Sequence, residues 1–347
     1  MNVERVIRSF QTFKEDCVES SPFYEFLVSE ILQDEEILRL SMNTRKGQPI
    51  ANMLLGAVHY ILLRGVDHPL ALYYPSISDR PKPKEDMYPH FIDFCTVFRG
   101  EIVSLMQRKY IQTNEVRRCA YLYPVFSSIF ANEDRPLALV EIGTSSGLQL
   151  FLDSYAYTYG DGRVYGNKTS TVHIKSQLVG EPEEELSFVL PEIGTRVGVD
   201  LHRIDVTSEE DQLWLEALIW PEHSDRRKLF EHATEYVERD KVDWIEGDGI
   251  ELLENIVKDI PDDEILCVFH THVANQFSEA SKEKLLQHIE TIGAERPIYH
   301  IYNNIWDRNL HIDYVSPQGK KSHIVGTTEC HGRWFTWEMT PVNHLNE

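Results

Sequence analysis

The chain is 347 residues long, 42% hydrophobic and 11% aromatic, which fills one large core or two ordinary ones and excludes a disordered chain. It carries 34 Lys and Arg against 56 Asp and Glu. The imbalance is lopsided: residues 1–130 hold 15 against 16, which leaves 19 against 40, a net of −21, for residues 131–347. A surface that acidic repels phosphate backbones, so nucleic acid is not an expected partner.

No apolar run approaches the roughly 18 to 20 residues of a membrane helix, and Met1-Asn-Val-Glu-Arg-Val has no basic or apolar leader character. The five cysteines (Cys17, Cys95, Cys119, Cys267, Cys330) are odd in number, widely spaced and without a C-x-x-C pair. Neither a disulfide framework nor a cysteine zinc site is indicated, and a cytoplasmic protein with reduced thiols is expected.

In chain order, residues 3–18, 22–32, 49–64, 88–107 and 115–130 predict helices, with apolar side chains at three-to-four spacing as in Phe91, Phe94, Cys95 and Phe98. Asn132-Glu-Asp-Arg-Pro136 reads as the turn that closes a helical N-terminal (cap) domain over residues 1–131. The apolar run from Leu137 then leads into a Gly-rich turn. Beyond it, residues 171–174, 197–204, 242–246, 265–270, 297–302, 311–315 and 323–327 are strand-like. Helical candidates fall between several of them, at 148–159, 211–219, 226–238, 249–258 and 279–292. That alternation predicts an α/β domain over residues 132–347, a doubly wound and mostly parallel sheet. Residues 160–196 read as an insertion, and Pro317-Gln-Gly319 as the turn of a closing hairpin.

The turn after the first strand, Glu141-Ile-Gly143-Thr144-Ser145-Ser-Gly147, fits two chemistries. Gly143 to Gly147 spell G-x-S-x-G, the nucleophile elbow of a serine hydrolase with Ser145 as nucleophile. An elbow, however, follows earlier strands and an oxyanion loop, whereas helices precede Ser145 and the one H-G pair is His331-Gly332. The other chemistry is cofactor binding. There is no G-K-[ST], no middle glycine of G-x-G-x-x-G, and no Lys or Arg between Arg135 and Arg163, so a phosphate is poorly served. S-adenosylmethionine carries a sulfonium, an amino group and a carboxylate but no phosphate, and an acid-led small-residue loop suits it. In that reading Glu141 faces its cationic portion while Gly143, Thr144, Ser145 and Gly147 form the close-approaching loop. Asp200 takes ribose hydroxyls, with Asp205 as competitor, and Asp248 holds the adenine amine or, equally, caps a helix.

Residues 137–302 thus resemble the class I S-adenosylmethionine-dependent methyltransferase fold. Over almost its whole length the chain resembles a bacterial family of uncharacterised proteins, the domain of unknown function numbered 2332. The residues concerned are Gln112-Thr-Asn-Glu115, Val140-Glu-Ile-Gly-Thr-Ser-Ser-Gly-Leu-Gln-Leu150, Gly198-Val-Asp-Leu-His-Arg-Ile-Asp205, Leu218-Ile-Trp-Pro-Glu222 and Val268-Phe-His-Thr-His272. The resemblance implies a Rossmann-like methyltransferase sheet with a helical N-terminal part and brings no established activity. The departure is Ser145, where methyltransferase loops usually carry glycine.

His270 and His272 end the fourth strand and, with Glu115, are the candidate bases; Asn114 and Glu115 are candidate substrate contacts, with capping of a helix start as the plainer role. A metal site combining the two histidines with His300 or Asp248 is disfavoured, since no H-E-x-x-H occurs among 15 histidines. Tyr155, Tyr157 and Tyr159 alternate and cannot share a helix face, which places at least one at the pocket edge or in the insertion. The expectation is a methyltransferase using S-adenosylmethionine on a small-molecule acceptor, away from membranes, with a dimer compatible. A Ser145 hydrolase and a noncatalytic methyltransferase-like binding module are the alternatives.

Overall fold

The computed structural model describes residues 2–18, 20–180 and 188–338. Helices come first: α1 (Val3–Cys17), α2 (Pro22–Ile31), α3 (Glu35–Ser41), α4 (Ile50–Leu63), α5 (Tyr88–Val97), α6 (Arg99–Arg108) and α7 (Cys119–Glu133). β1 (Leu137–Ile142) follows, then a 3-10 turn (Leu148–Ser154) and four short strands, β2 (Ala156–Thr158), β3 (Tyr165–Gly166), β4 (His173–Lys175) and β5 (Gln177–Val179). β6 (Ile193–Asp200), α8 (Glu209–Ala217), α9 (Ser224–Arg239), β7 (Asp243–Glu246), α10 (Gly249–Lys258), β8 (Ile265–His270) and α11 (Glu279–Glu295) alternate as the pattern predicts. The chain closes with β9 (Ile298–Tyr302), β10 (Asn309–Ser316), β11 (Gly319–Thr327) and β12 (Trp334–Thr336).

Two compact units result: residues 1–113 with 207–228, and residues 114–206 with 229–347. In the helical unit α1 buries Val6, Phe10, Phe13 and Cys17 along one stripe, and α4 is buried over nearly its whole length. Gly56 of α4 leaves room for Leu218, whose Cδ2 would stand 2.8 Å from a Cβ there. His59 is fully buried, with Nδ1 2.9 Å from Ala217 O and Nε2 2.8 Å from Ser76 Oγ. Burial pushes its imidazole down to about 3.

In the other unit a seven-stranded sheet has the order β11-β10-β9-β8-β1-β6-β7. β7, β6, β1, β8 and β9 are parallel, and β10 runs antiparallel to both β9 and β11. One face packs Val140, Val199, Leu266 and Val268 against Leu253 of α10 and Leu285 and Ile289 of α11. On the other, Phe126 of α7 meets Phe269 of β8 edge-on at 5.3 Å. Strands covered on both faces read as continuous apolar runs, which is why β1 and β8 are buried throughout. The Pro317-Gln-Gly319 turn does join an antiparallel hairpin.

The units do not follow a single boundary at 131. Residues 114–131 fall with the sheet, because α7 lies on it, and residues 207–228 fall with the helices. The continuous helix predicted over 88–107 is two, α5 and α6, joined at Phe98. The helix predicted over 148–159 is absent too: one 3-10 stretch ends at Ser154 and β2 begins at Ala156. On a strand, alternate residues share a face, and Tyr157 and Tyr159 lie near-parallel with ring centroids 6.3 Å apart. Tyr155, Tyr157 and Tyr159 are all buried, their hydroxyls donating to Leu148 O, Leu152 O and Ala120 O. The insertion contributes the sheet β3-β2-β4, and β5 pairs with β12; its residues 181–187 lie outside the described residues. Among the described residues no helix is long and apolar enough to cross a membrane.

Candidate functional site

Parallel strands bring their carboxyl ends to one edge, where open sheets bind ligands at the point of strand-order reversal, here between β1 and β8. Glu141 stands near the end of β1, Asp200 ends β6, Asp248 follows β7, and His270-Thr271-His272 leave β8.

β1 stops where the N–H groups of Gly143 and Thr144 both donate to Val199 O, at 2.8 and 3.1 Å. The chain then turns through Gly143 (φ 75°), Ser145 (φ 54°) and Gly147 (φ 75°), all left-handed. Glycine takes that conformation without a Cβ penalty; a serine needs its neighbours to hold it there. Ser145 N–H donates to Asp200 Oδ2 (2.8 Å), and its Oγ accepts from Asn114 Nδ2 (3.1 Å). Asn114 Oδ1 in turn accepts from Ser146 Oγ (2.5 Å). Both ends of the Asn114 amide are thereby engaged by the loop. The two glycines also have close protein neighbours. A Cβ at 143 would stand 2.5 Å from Val273 Cγ2, and one at 147 would stand 2.9 Å from Trp244 Cζ3. Protein side chains fill the space beside each.

Glu141 is 3% exposed and accepts from Thr144 Oγ1 at 2.7 Å. Burial pushes its carboxyl up to about 8; the charge of Asp200 acts in the same direction, while Thr144 and Arg118 act against it. The Asp200 carboxyl is also raised by burial, opposed by the N–H groups of His202 (2.9 Å to Oδ1) and Ser145. Asp248 is exposed and accepts from Ile250 N–H (2.9 Å) and Glu251 N–H (3.4 Å), so it is the N-cap of α10.

The two histidines at the end of β8 stand in different surroundings. His270 is fully buried in the sheet, its Nε2 3.2 Å from His300 Nε2. His272 lies past the strand end at φ 55°, with its N–H donating to Asn303 Oδ1 (2.8 Å). Burial drives His270 well below the usual imidazole range, and drives His272 and His300 to about 3. Glu115 is 1% exposed, accepts from Arg117 N–H (3.2 Å) as a cap, and pairs with His331 Nδ1 at 3.2 Å. Among the described residues no group of three or more His, Cys, Asp or Glu is placed to hold a metal ion.

Compared with known proteins, residues 8–337 match the family described as "Uncharacterized protein conserved in bacteria (DUF2332)". The chain belongs to this family. No curated protein and no solved structure matches it. The family match spans every strand of the large sheet, the turn at 143–147 and the segment 328–336.

In this DUF2332 member a second set of polar residues faces the same strand ends, and the sequence reading did not find it. Arg118, at the start of α7, is 7% exposed, with Nε donating to Cys330 O (2.9 Å). One turn on, the Tyr121 hydroxyl is buried beside Thr271, whose own hydroxyl donates to Gln149 Oε1 (3.0 Å). The one signal in the sequence was a basic pair, Arg117-Arg118, opening an otherwise apolar helix.

Proposed function

We propose that this protein binds S-adenosylmethionine across the ends of β1, β6 and β7 and methylates a small acceptor. The observation that carries the reading is the pair Glu141 and Asp200. These are two carboxyl groups on neighbouring strand ends, and no Lys or Arg ion-pairs with Glu141 among the described residues. A buried carboxyl without an ion pair gains from a ligand that brings positive charge. The strand order supports it, since β7-β6-β1-β8-β9 is that of a doubly wound sheet with its crevice beside β1. The donor set also fits, with carboxyls at three successive strand ends and no cation in the loop to hold a phosphate.

Such a cofactor supplies a methyl group activated on sulfur. The chain supplies binding and alignment. Glu141 meets the positive amino acid portion. Asp200, fixed by the N–H groups of Ser145 and His202, meets the ribose hydroxyls. Asp248 faces the base while capping α10. Of the candidate bases, His272 stands at the strand end with Nε2 unpartnered, whereas His270 is in the sheet interior and Glu115 is engaged. Calorimetric titration tests the reading. Binding of S-adenosylmethionine that weakens in Glu141→Gln and Asp200→Asn supports it; folded wild-type protein giving no heat at millimolar ligand refutes it.

A second reading has its own observation. Ser145 sits in a left-handed turn between a strand and a 3-10 stretch, as an elbow serine does. Its Oγ accepts a hydrogen bond from the Asn114 amide. Labelling of Ser145 by a fluorophosphonate would reverse the order of the two readings.

A further inference from the structure

Arg118 is an arginine more than nine-tenths buried as a residue. The ion pairs around it are Glu115–His331 and Arg333–Glu329, and Arg118 enters neither. Its one described hydrogen bond leaves through Nε, so both terminal nitrogens, the fork that grips a carboxylate, remain without a protein acceptor among the described residues. That fork is therefore available to an acceptor brought by a ligand.

What surrounds it is equally suggestive. Glu141, Tyr121 and His272 all lie within its electrostatic reach, at the ends of β1 and β8. Two further buried donors at that edge lack well-formed hydrogen bonds among the described residues: the Tyr121 hydroxyl and the Asn303 amide nitrogen. Each can donate a hydrogen bond. His272 and Asn303 are joined directly, by the bond from His272 N–H to Asn303 Oδ1, and Tyr121 reaches the same strand end through Thr271. Three donors, one of them a permanent cation, are thus gathered at one strand edge.

We infer that Arg118, with Tyr121 and Asn303, forms a receptor for a carboxylate carried by a bound small molecule. A monoanion fits better than a phosphate. One guanidinium balances one charge, and a dianion would leave a surplus beside Glu115 in a poorly solvated place. The inference does not require methyl transfer. The carboxylate has two sources: the amino acid end of S-adenosylmethionine, or a separate acid that is the acceptor.

The test is thermal unfolding of the full chain, wild type beside Arg118→Met and Arg118→Lys. The probes are acetate, propionate and benzoate, each matched against chloride and phosphate at equal ionic strength. Carboxylates are expected to raise the wild-type Tm by roughly 2–4 °C at about tenfold their dissociation constant, and to leave Arg118→Met unmoved. Arg118→Lys keeps the charge but loses the planar fork, so it should retain less than half of the shift. Should Arg118→Met not fold, the lysine variant and the wild-type anion series decide alone. Repeating the series with saturating S-adenosylmethionine or 5′-methylthioadenosine, which lacks a carboxylate, separates the sources. A shift that survives both nucleosides assigns the carboxylate to the acceptor, and one lost only with S-adenosylmethionine assigns it to the cofactor. Failure of either nucleoside to bind counts against the methyltransferase reading and leaves the simple-acid result standing. The inference is overturned if no carboxylate shifts the wild type, if Arg118→Met shifts equally, or if phosphate produces the larger Arg118-dependent effect.

Discussion

Gly147 of the turn after β1 and Trp244 of β7 are in contact, with the indole edge where a side chain at 147 would be. The same ring leaves no room for a Cβ at Gly198 on the strand between them, 2.8 Å from Cζ3. Gly147 and Gly198 together therefore form a socket for one tryptophan. The Arg203 guanidinium lies over the same ring, 4.5 Å from its centroid.

Gly147→Ala is expected to destabilise the protein by about 1–2 kcal/mol for the left-handed backbone and by about 1–3 kcal/mol more for overlap with the indole. Trp244→Leu in the same chain should recover the second part and not the first. Chemical denaturation of the single and double variants checks this, and strictly additive effects would mean that the two residues do not share the space.

Glu141 sets the alkaline limb of stability. Its folded-state carboxyl lies at about 8 against an ordinary 4.5, so between those values the folded chain holds a proton that the unfolded chain has lost. Stability therefore falls as pH rises through that window, by roughly 4–5 kcal/mol at full effect. Glu141→Gln should equal wild type near pH 4.5 and exceed it above pH 8. A difference that does not change with pH would show that the carboxyl is ionised throughout.

The same carboxyl makes ligand binding proton-linked. If a cation docks beside Glu141, the proton held at pH 7 is released, and the calorimetric heat should differ between Tris and phosphate buffers. Above pH 9.5 the dependence should vanish, as it should at any pH in Glu141→Gln. Equal heats in both buffers at pH 7 would place the positive charge elsewhere.

Buried imidazoles govern the acid limb. His59, His272 and His300 are held at about 3 and His270 well below its usual value, chiefly by burial. Unfolding lets them take up protons, so stability is full above about pH 6.5 and is lost as pH falls toward 3. Replacing His270 and His300 together by leucine should make that limb shallower by up to two protons. Replacing only one leaves the other ring nitrogen unpaired and should cost about 1–3 kcal/mol. Acid unfolding of the three variants distinguishes these outcomes.

The sequence by itself determined what rests on local pattern. The alternation of apolar runs and amphipathic stretches specified a mostly parallel sheet, glycines at 143 and 147 marked its first turn, and Asp248 was legible as a cap because a cap needs only its own helix. Strand-like tyrosine alternation at 155–159 was present too, but a helix between strands was the stronger local expectation. Tertiary structure alone decided which groups share a space. Trp244 against Gly147, Val273 against Gly143, His300 against His270 and the Cys330 carbonyl against Arg118 are each brought together by strand order or chain return across many residues. Periodicity carries no record of such meetings. Burial, and with it the charge state of Glu141 and the surroundings of Arg118, exists only once distant segments have closed over them.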